Sequence, residues 1–331
     1  MARRAIGVDL GGTNIKAGAV AENGTLLSRI SIPTQGADGH DAVVARIVRA
    51  AEMARVEARL PWSAVAAVGV GSPGAFEGAD GVVHHSPNLK DMEGKPLLRT
   101  LRRAFGRPGL PVALENDANV AAYAESWVGV GRRCRHMALF TLGTGIGGGI
   151  VLDGEIWRGA WGAAAELGHM NLFPDGIRCA CGNRGCLEAY ASAPALARRL
   201  RAAVAAGQPT GLAEAVRRRQ APDARDITLA ARAGDRTCRA LLAETGRYLG
   251  IAVMNVLSML NVELVVFTGG MTAAGALLLD PIRREARRRT FALAFDRARI
   301  LFSRMGNDAG VIGAAGWALH RQRALPRRRT P

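Results

Sequence analysis

Short apolar runs, each closed by a glycine turn, alternate along this chain with longer stretches of helical spacing. Ala5-Ile-Gly-Val-Asp9 is an apolar run ending in an acid, and Leu10-Gly-Gly-Thr-Asn-Ile-Lys-Ala-Gly18 leads through a glycine turn into a second β-type segment. The pattern predicts a third strand over residues 25–32, with Asn23-Gly24 as the hairpin turn. Apolar positions at helical spacing fill 40–60 and stop before Pro61, and an apolar strand over 64–70 is closed by Gly71-Ser-Pro-Gly74. The polar, Gly- and Pro-containing stretch 75–96 reads as loop. Val112-Ala-Leu-Glu115 reads as a strand, with Asn116-Asp117 opening a helix over 118–127. A strand over 137–142 ends in Gly143-Thr-Gly-Ile-Gly-Gly-Gly149 and resumes at 150–152. Helices with Gly and Pro breaks fill 193–260, and a strand over 264–267 ends in Thr268-Gly-Gly270. A helix over 277–289, a strand over 299–302 and a last helix after Gly310 complete the chain.

One unit occurs twice: a strand, a Gly/Thr turn and a second strand, at Val8-Asp-Leu-Gly-Gly-Thr13 and at Thr141-Leu-Gly-Thr-Gly145. Strands alternating with helices predict an α/β layered core. The repeat predicts two similar α/β halves facing each other across a cleft, which suits a chain of 331 residues.

Composition narrows the class. With 49% hydrophobic residues the chain is not disordered, and 41 glycines without a Gly-X-Y period exclude a collagen-like chain. The most apolar run, 250–267, contains Asn255, Ser258, Asn261 and Glu263, so it reads as a buried helix and strand rather than a membrane span. The start of the chain carries no signal-peptide core, and the expected location is cytoplasmic. The net charge of +16 comes almost entirely from arginine, dispersed over helices and the tail from Arg321 to Arg329. No arginine cluster is interleaved with stacking aromatics, so the reading is a solvated basic surface and no nucleic-acid partner. Five cysteines are too few for a disulfide scaffold.

Three of them form the strongest chemical signal. Glu166-Leu-Gly-His169 is followed by Cys179-Ala-Cys181-Gly-Asn-Arg-Gly-Cys186-Leu-Glu188. One imidazole and three thiolates complete a closed tetrahedral set, the composition of structural Zn²⁺, and Gly182 and Gly185 suit the tight turn of a knuckle. Cys134 and Cys238 stand alone and read as buried thiols. Glu166 and Glu188 flank the knuckle, where paired acids suit a hydroxyl-rich ligand.

Gly11-Gly12-Thr13 and Gly143-Thr144-Gly145 can each turn backbone N–H groups toward phosphate oxygens, since glycine has no Cβ to block the approach. Either turn alone could be a tight hairpin, but two at matching places of two α/β halves point to a nucleotide phosphate clamp. Neither matches the Walker pattern or the dinucleotide fingerprint, which argues against a P-loop or dinucleotide enzyme. Asp9, at a strand end beside the first turn, could hold Mg²⁺ through water or simply cap the turn. Asp117 could accept a proton from an attacking hydroxyl, or Asn116 and Asp117 could be ordinary helix caps; spacing alone leaves both open.

Taken together the motifs resemble the ROK family (repressors, open reading frames, kinases) of the actin-like ATPase superfamily, and most of all its bacterial ATP-dependent glucokinases. The resemblance rests on Asp9-Leu-Gly-Gly-Thr-Asn-Ile-Lys16, Gly71-Ser-Pro-Gly74, Ser86-Pro-Asn-Leu89, Glu115-Asn-Asp-Ala-Asn119, Leu142-Gly-Thr-Gly-Ile-Gly147, Glu166-x-x-His169, the knuckle, Thr268-Gly-Gly270 and Asn307-Asp-Ala-Gly310-Val-Ile-Gly313. It implies two RNase H-like α/β domains with a nucleotide cleft between them. The small domain would be 1–115 with 310–331, and the large domain 116–309 with the zinc knuckle at 179–186. It further implies phosphoryl transfer from ATP·Mg²⁺ to the 6-hydroxyl of glucose, with Asp117 as the base. Gly74, Asn88, Asn116, Glu166, His169 and Glu188 would contact the sugar. Asp9, Gly11, Gly12, Thr13, Asn14, Lys16, Gly143, Thr144, Gly145, Gly269 and Gly270 would surround the nucleotide and its metal. His169, Cys179, Cys181 and Cys186 would hold zinc, and relatives are commonly homodimers or tetramers.

The sequence departs from the family at Ala164-Ala165-Glu166, where relatives often have Gly at the middle position, and at Ala75-Phe76 after Gly74. Both bear on sugar specificity rather than on reaction type. Alternatives are a kinase for N-acetylmannosamine, N-acetylglucosamine, mannose or fructose, and polyphosphate in place of ATP. A family repressor would carry a helix-turn-helix domain before the first motif, whereas here the first strand starts within a few residues of Met1.

Overall fold

The computed structural model describes residues 3–324 apart from His85, Pro87 and Asn88. β1 (Arg4–Leu10) and β2 (Asn14–Ala21) are an antiparallel pair whose register sets Asp9 opposite Lys16. β3 (Ile30–Pro33) extends β2, and β4 (Val65–Ser72) runs parallel to β1. A hairpin of β5 (Ala75–Glu77) and β6 (Val82–His84) follows, and then β7 (Val112–Asn116), parallel to β4. This sheet has the order β3-β2-β1-β4-β7. A second sheet is built from β8 (Met137–Leu142), β9 (Ile146–Leu152), β10 (Glu155–Ile156), β11 (Leu264–Thr268) and β12 (Arg299–Phe302), in the order β10-β9-β8-β11-β12. The two orders are the same pattern written twice, as the repeated strand–turn–strand unit leads one to expect.

The chain forms two compact units, Met1–Arg133 with Gly149–Ala164 and Met305–Pro331, and Cys134–Gly148 with Ala165–Arg304. The resemblance implied 1–115 with 310–331 and 116–309; the first unit here also takes in 116–133 and 149–164. The helix Asp117–Trp127 packs in the first unit, because Gly313 of the helix Ala309–Ala324 lies against its Val120 carbonyl.

Glycine also seats the helix Ala309–Ala324 on the first sheet. A Cβ on Gly7 of β1 would fall 1.9 Å from the Val311 carbonyl oxygen, and one on Gly69 of β4 would fall 1.8 Å from that of Ala314. Ile6, Val8, Leu10, Ile47, Val68 and Leu101 belong to this unit's buried core. In the second unit Phe140 and Phe267 sit in register on adjacent strands and stack at 5.1 Å.

Two expectations are corrected. The third strand begins at Ile30, not at residue 25, because the Ser28 hydroxyl takes over the ladder: it accepts from the Ala19 N–H at 2.9 Å and donates to the Ala54 carbonyl at 2.7 Å. The stretch 75–96, read as loop, carries the β5–β6 hairpin, whose three-residue strands are too short to show a period. Among the described residues no helix is long and apolar enough to cross a membrane.

Candidate active site

In the first unit the carboxyl ends of three parallel strands line up, with Asp9 of β1 opposite Gly71 of β4 and Gly71 opposite Glu115 of β7. Ligands of open α/β sheets gather at such an edge. The turn after β1 is tied by the Gly11 N–H donating to the Asn14 carbonyl at 3.0 Å, and by the Thr34 hydroxyl donating to the Gly11 carbonyl at 2.6 Å. Gly12 and Thr13 complete this turn, and the Thr13 carbonyl accepts from the Thr34 N–H at 2.9 Å. Burial pushes the Asp9 carboxyl above its usual range, and Lys16 opposes that shift. Gly310 lets this carboxylate reach the start of the last helix, since a Cβ there would fall 2.6 Å from Asp9 Oδ2. A single carboxylate suits Mg²⁺, which keeps most of its water and takes one or two protein oxygens beside phosphates.

At the end of β7, Asn116 caps the helix Asp117–Trp127. Its side-chain oxygen accepts from the Ala118 and Asn119 N–H groups at 2.9 and 3.1 Å, and its amide donates to the Gly74 carbonyl at 3.1 Å. Asp117 is thereby fixed in the first turn, where its Oδ1 accepts from the Ala118 N–H at 2.8 Å. Gly74 turns at φ 109°, a conformation open to glycine. Asn88 lies outside the described residues.

In the second unit the turn after β8 is closed by the Gly143 N–H donating to the Gly145 carbonyl at 3.0 Å, and the Gly147 N–H donates to the Thr141 hydroxyl at 3.0 Å. Glu188 Oε2 accepts from the Ile146 N–H at 2.8 Å, and a Cβ on Gly145 would fall 2.5 Å from that oxygen. Glu188 therefore holds the turn itself. The turn after β11 stands beside it, because Thr141 and Thr268 are in register and Gly269, at φ 99°, packs on the Leu142 backbone. Gly143, Thr144 and Gly270 line a cavity of ≈ 730 Å³, within the roughly 300–1,000 Å³ usual for small-ligand sites. Its other walls come from Pro194, Ala197, Arg201, Arg225, Leu229 and Arg232.

The knuckle belongs to this unit too. The ligating atoms of His169, Cys179, Cys181 and Cys186 all lie within 4.8 Å of one another. Cys179 Sγ is 3.8 Å from His169 Nδ1, and Cys181 Sγ is 3.7 Å from Cys186 Sγ. A tetrahedral Zn²⁺ with sulfur at about 2.3 Å requires ligand–ligand edges of about 3.8 Å. The donor set fits the metal. Burial and the neighbouring thiols push the Cys186 thiol up to about 12, so a bound cation must displace its proton. Glu188 Oε1 lies 3.8 Å from Cys179 Sγ, which ties the knuckle to the glycine turn through one side chain. Glu166 precedes the turn that carries His169, whose N–H donates to the Glu166 carbonyl at 2.9 Å. Cys134 and Cys238 are buried away from this cluster, as expected.

The family model described as ROK matches residues 5–321. The chain belongs to the ROK family. A glucokinase of Halalkalibacterium halodurans is 36% identical over 320 residues, 96% of this chain and 95% of that protein. A ROK glucokinase of Streptomyces griseus, solved with glucose and AMPPNP, is 35% identical with a TM-score of 0.78, over 96% of this chain and 99% of that one. A xylose repressor of Caldicellulosiruptor bescii is 32% identical over 78% of this chain and 64% of its own length. The fold is accordingly the actin-like ATPase fold of ROK sugar kinases.

The ROK motifs supply the glycine edge of the second-unit cavity but not its helical walls. Pro194, Arg201, Arg225 and Arg232 come from helices whose sequences show only amphipathic spacing, so no local signal marks them. The double duty of Glu188 is equally hidden, because it depends on where the chain returns 42 residues after Ile146.

Proposed function

We propose that this ROK chain transfers the terminal phosphoryl group of ATP to the 6-hydroxyl of glucose. The observation that carries the reading is Asp117, held by the Asn116 cap at the carboxyl edge of the first sheet in a chain 36% identical to a glucokinase. A carboxylate so fixed can accept the hydroxyl proton as the oxygen attacks phosphorus, while the rest of the protein contributes positioning and charge stabilisation. Asn116 commits one amide N–H to Gly74 and keeps the other for a neighbouring sugar hydroxyl. The backbone at Gly74 and the side chain of Asn88 would contact the sugar from the same unit.

Glu166, His169 and Glu188 would grip hydroxyls at the C1–C2 side of the ring. His169 presents Nδ1 to Cys179, which leaves Nε2 for the sugar. Zinc held by His169, Cys179, Cys181 and Cys186 would be structural, fixing the imidazole's tautomer and aim. Gly11, Gly12, Thr13, Asn14, Lys16, Gly143, Thr144 and Gly145 would serve the phosphates, Asp9 the hydrated Mg²⁺, and Gly269 and Gly270 the adenosine. The cavity beside Gly143 and Gly270 is large enough for a nucleoside.

The test is a coupled ADP assay on glucose, N-acetylmannosamine, N-acetylglucosamine, mannose and fructose, with ATP and with polyphosphate. Glucose with ATP should give the highest kcat/KM. Robust turnover of an acetamido sugar with negligible turnover of glucose, or activity with polyphosphate alone, would overturn the assignment. Asp117→Asn should lower kcat about 10²–10⁴-fold with little change in glucose affinity. Undiminished turnover by that variant would remove the proposed base.

A further inference from the structure

The first unit contains a cavity of ≈ 430 Å³ that none of the residues assigned to ATP, sugar or metal lines. Arg102, Arg158, Arg321, Glu115 and Trp317 supply its polar wall, and Leu98 and Phe76 are among its apolar residues. Glu115 is buried and paired with Arg158. Among the described residues neither Arg102 nor Arg321 has a carboxylate partner, so two positive charges face the cavity without compensation. The Arg158 and Arg321 guanidinium groups lie 5.0 and 5.7 Å from the centroid of the Trp317 ring, which gathers the charge around one indole.

Among the described residues two buried donors there have nothing to donate to. Trp317 is 3% exposed and its indole N–H has no hydrogen-bond partner, and neither has the buried Nε of Arg158. An unpaired buried donor is costly, so the arrangement favours an occupant that brings acceptor oxygens. A phosphate monoester carries about −1.5 to −2 at neutral pH, matching the two uncompensated guanidinium groups, and it offers three acceptor oxygens. Guanidinium forks match phosphate oxygens in pairs, and the apolar wall suits the organic part of such a ligand. We propose that this cavity binds a small organic phosphate monoester.

The probe is phenyl phosphate, titrated calorimetrically against the full chain near neutral pH, with phenol and inorganic phosphate in parallel. Wild-type protein should bind phenyl phosphate saturably and more tightly than inorganic phosphate, and should give no saturable heat with phenol. Because glycine turns can also take phosphate, the deciding comparison is the double variant Arg102→Gln/Arg321→Gln. Both side chains belong to exposed residues outside the proposed catalytic machinery, so its melting temperature and its turnover should match wild type. Its affinity for phenyl phosphate should fall about tenfold or more, since hydrogen bonds to charged groups contribute about 1.5–3 kcal/mol. Trp317→Phe, which removes the indole donor, should weaken binding as well. Equal affinity in the double variant and wild type would place the ligand elsewhere and overturn the proposal. Absence of saturable binding at millimolar phenyl phosphate would overturn it too, and inorganic phosphate binding as tightly would remove the organic ligand class.

Discussion

Ala165 holds a methyl group at φ 67°, a left-handed conformation that costs an L residue about 1–2 kcal/mol. The family resemblance leads one to expect glycine at this point of the motif, and here an alanine holds the glycine-like angle. Ala165→Gly should therefore stabilise the protein by about 1 kcal/mol, read as a higher urea midpoint at unchanged slope. Gly145 stands in the opposite situation. A methyl there would strike the Glu188 carboxylate that receives the Ile146 N–H. Gly145→Ala should raise the KM for ATP about tenfold or more, the scale of a lost hydrogen bond to a charged group. Steady-state kinetics with varied ATP checks it, and an unchanged KM would count against the proposed role of this turn in holding the nucleotide.

At the scale of elements, the last helix sits where glycine allows it. Gly313 meets the Val120 carbonyl so closely that a Cβ would fall 1.8 Å from its oxygen. Gly313→Ala must push the helix Ala309–Ala324 away from the helix Asp117–Trp127, at a cost of about 1–3 kcal/mol or more. The second helix begins with Asp117, so kcat should fall together with stability; denaturation and turnover measured on one preparation test the link. Most elements were legible because their signals are local. A nearly continuous apolar run closed by Gly143 marks Met137–Leu142, and the Asn116 cap marks the helix after β7. The third strand was misplaced because the Ser28 hydroxyl satisfies backbone groups from two other elements, a choice made by packing and not by residue spacing.

For the whole molecule, the knuckle shows how far a local motif can carry tertiary order. Between Asn171 and Cys186 the described residues form no strand; isolated bridges, Asn171 to Cys186 and Arg178 to Arg184, and a few backbone hydrogen bonds such as Leu172 N–H to the Gly185 carbonyl supplement the turns. With so little ladder, the fold of this segment should depend on the zinc that its Cys₃His cluster fits. Prolonged chelation should strip about one zinc per chain and lower the melting temperature, and added Zn²⁺ should restore it. Elemental analysis with thermal melts reads both, and a fully stable metal-free protein would contradict a structural role. Since Glu188 links Cys179 to the Gly145 turn, chelation should also weaken ATP binding.

The amino-acid sequence by itself determined the repeated strand–turn–strand units, the four knuckle ligands, the helix cap that carries Asp117 and the family to which they belong. All of these are written in neighbouring residues, where hydrophobic period, turn chemistry and ligand spacing act directly. Only the tertiary structure decided which helices wall the second-unit cavity, that Glu188 serves both turn and knuckle, and that three arginines and an unpartnered indole meet in the first unit. Those depend on side chains brought together from distant parts of the chain, and the packing that joins them leaves no mark on local spacing.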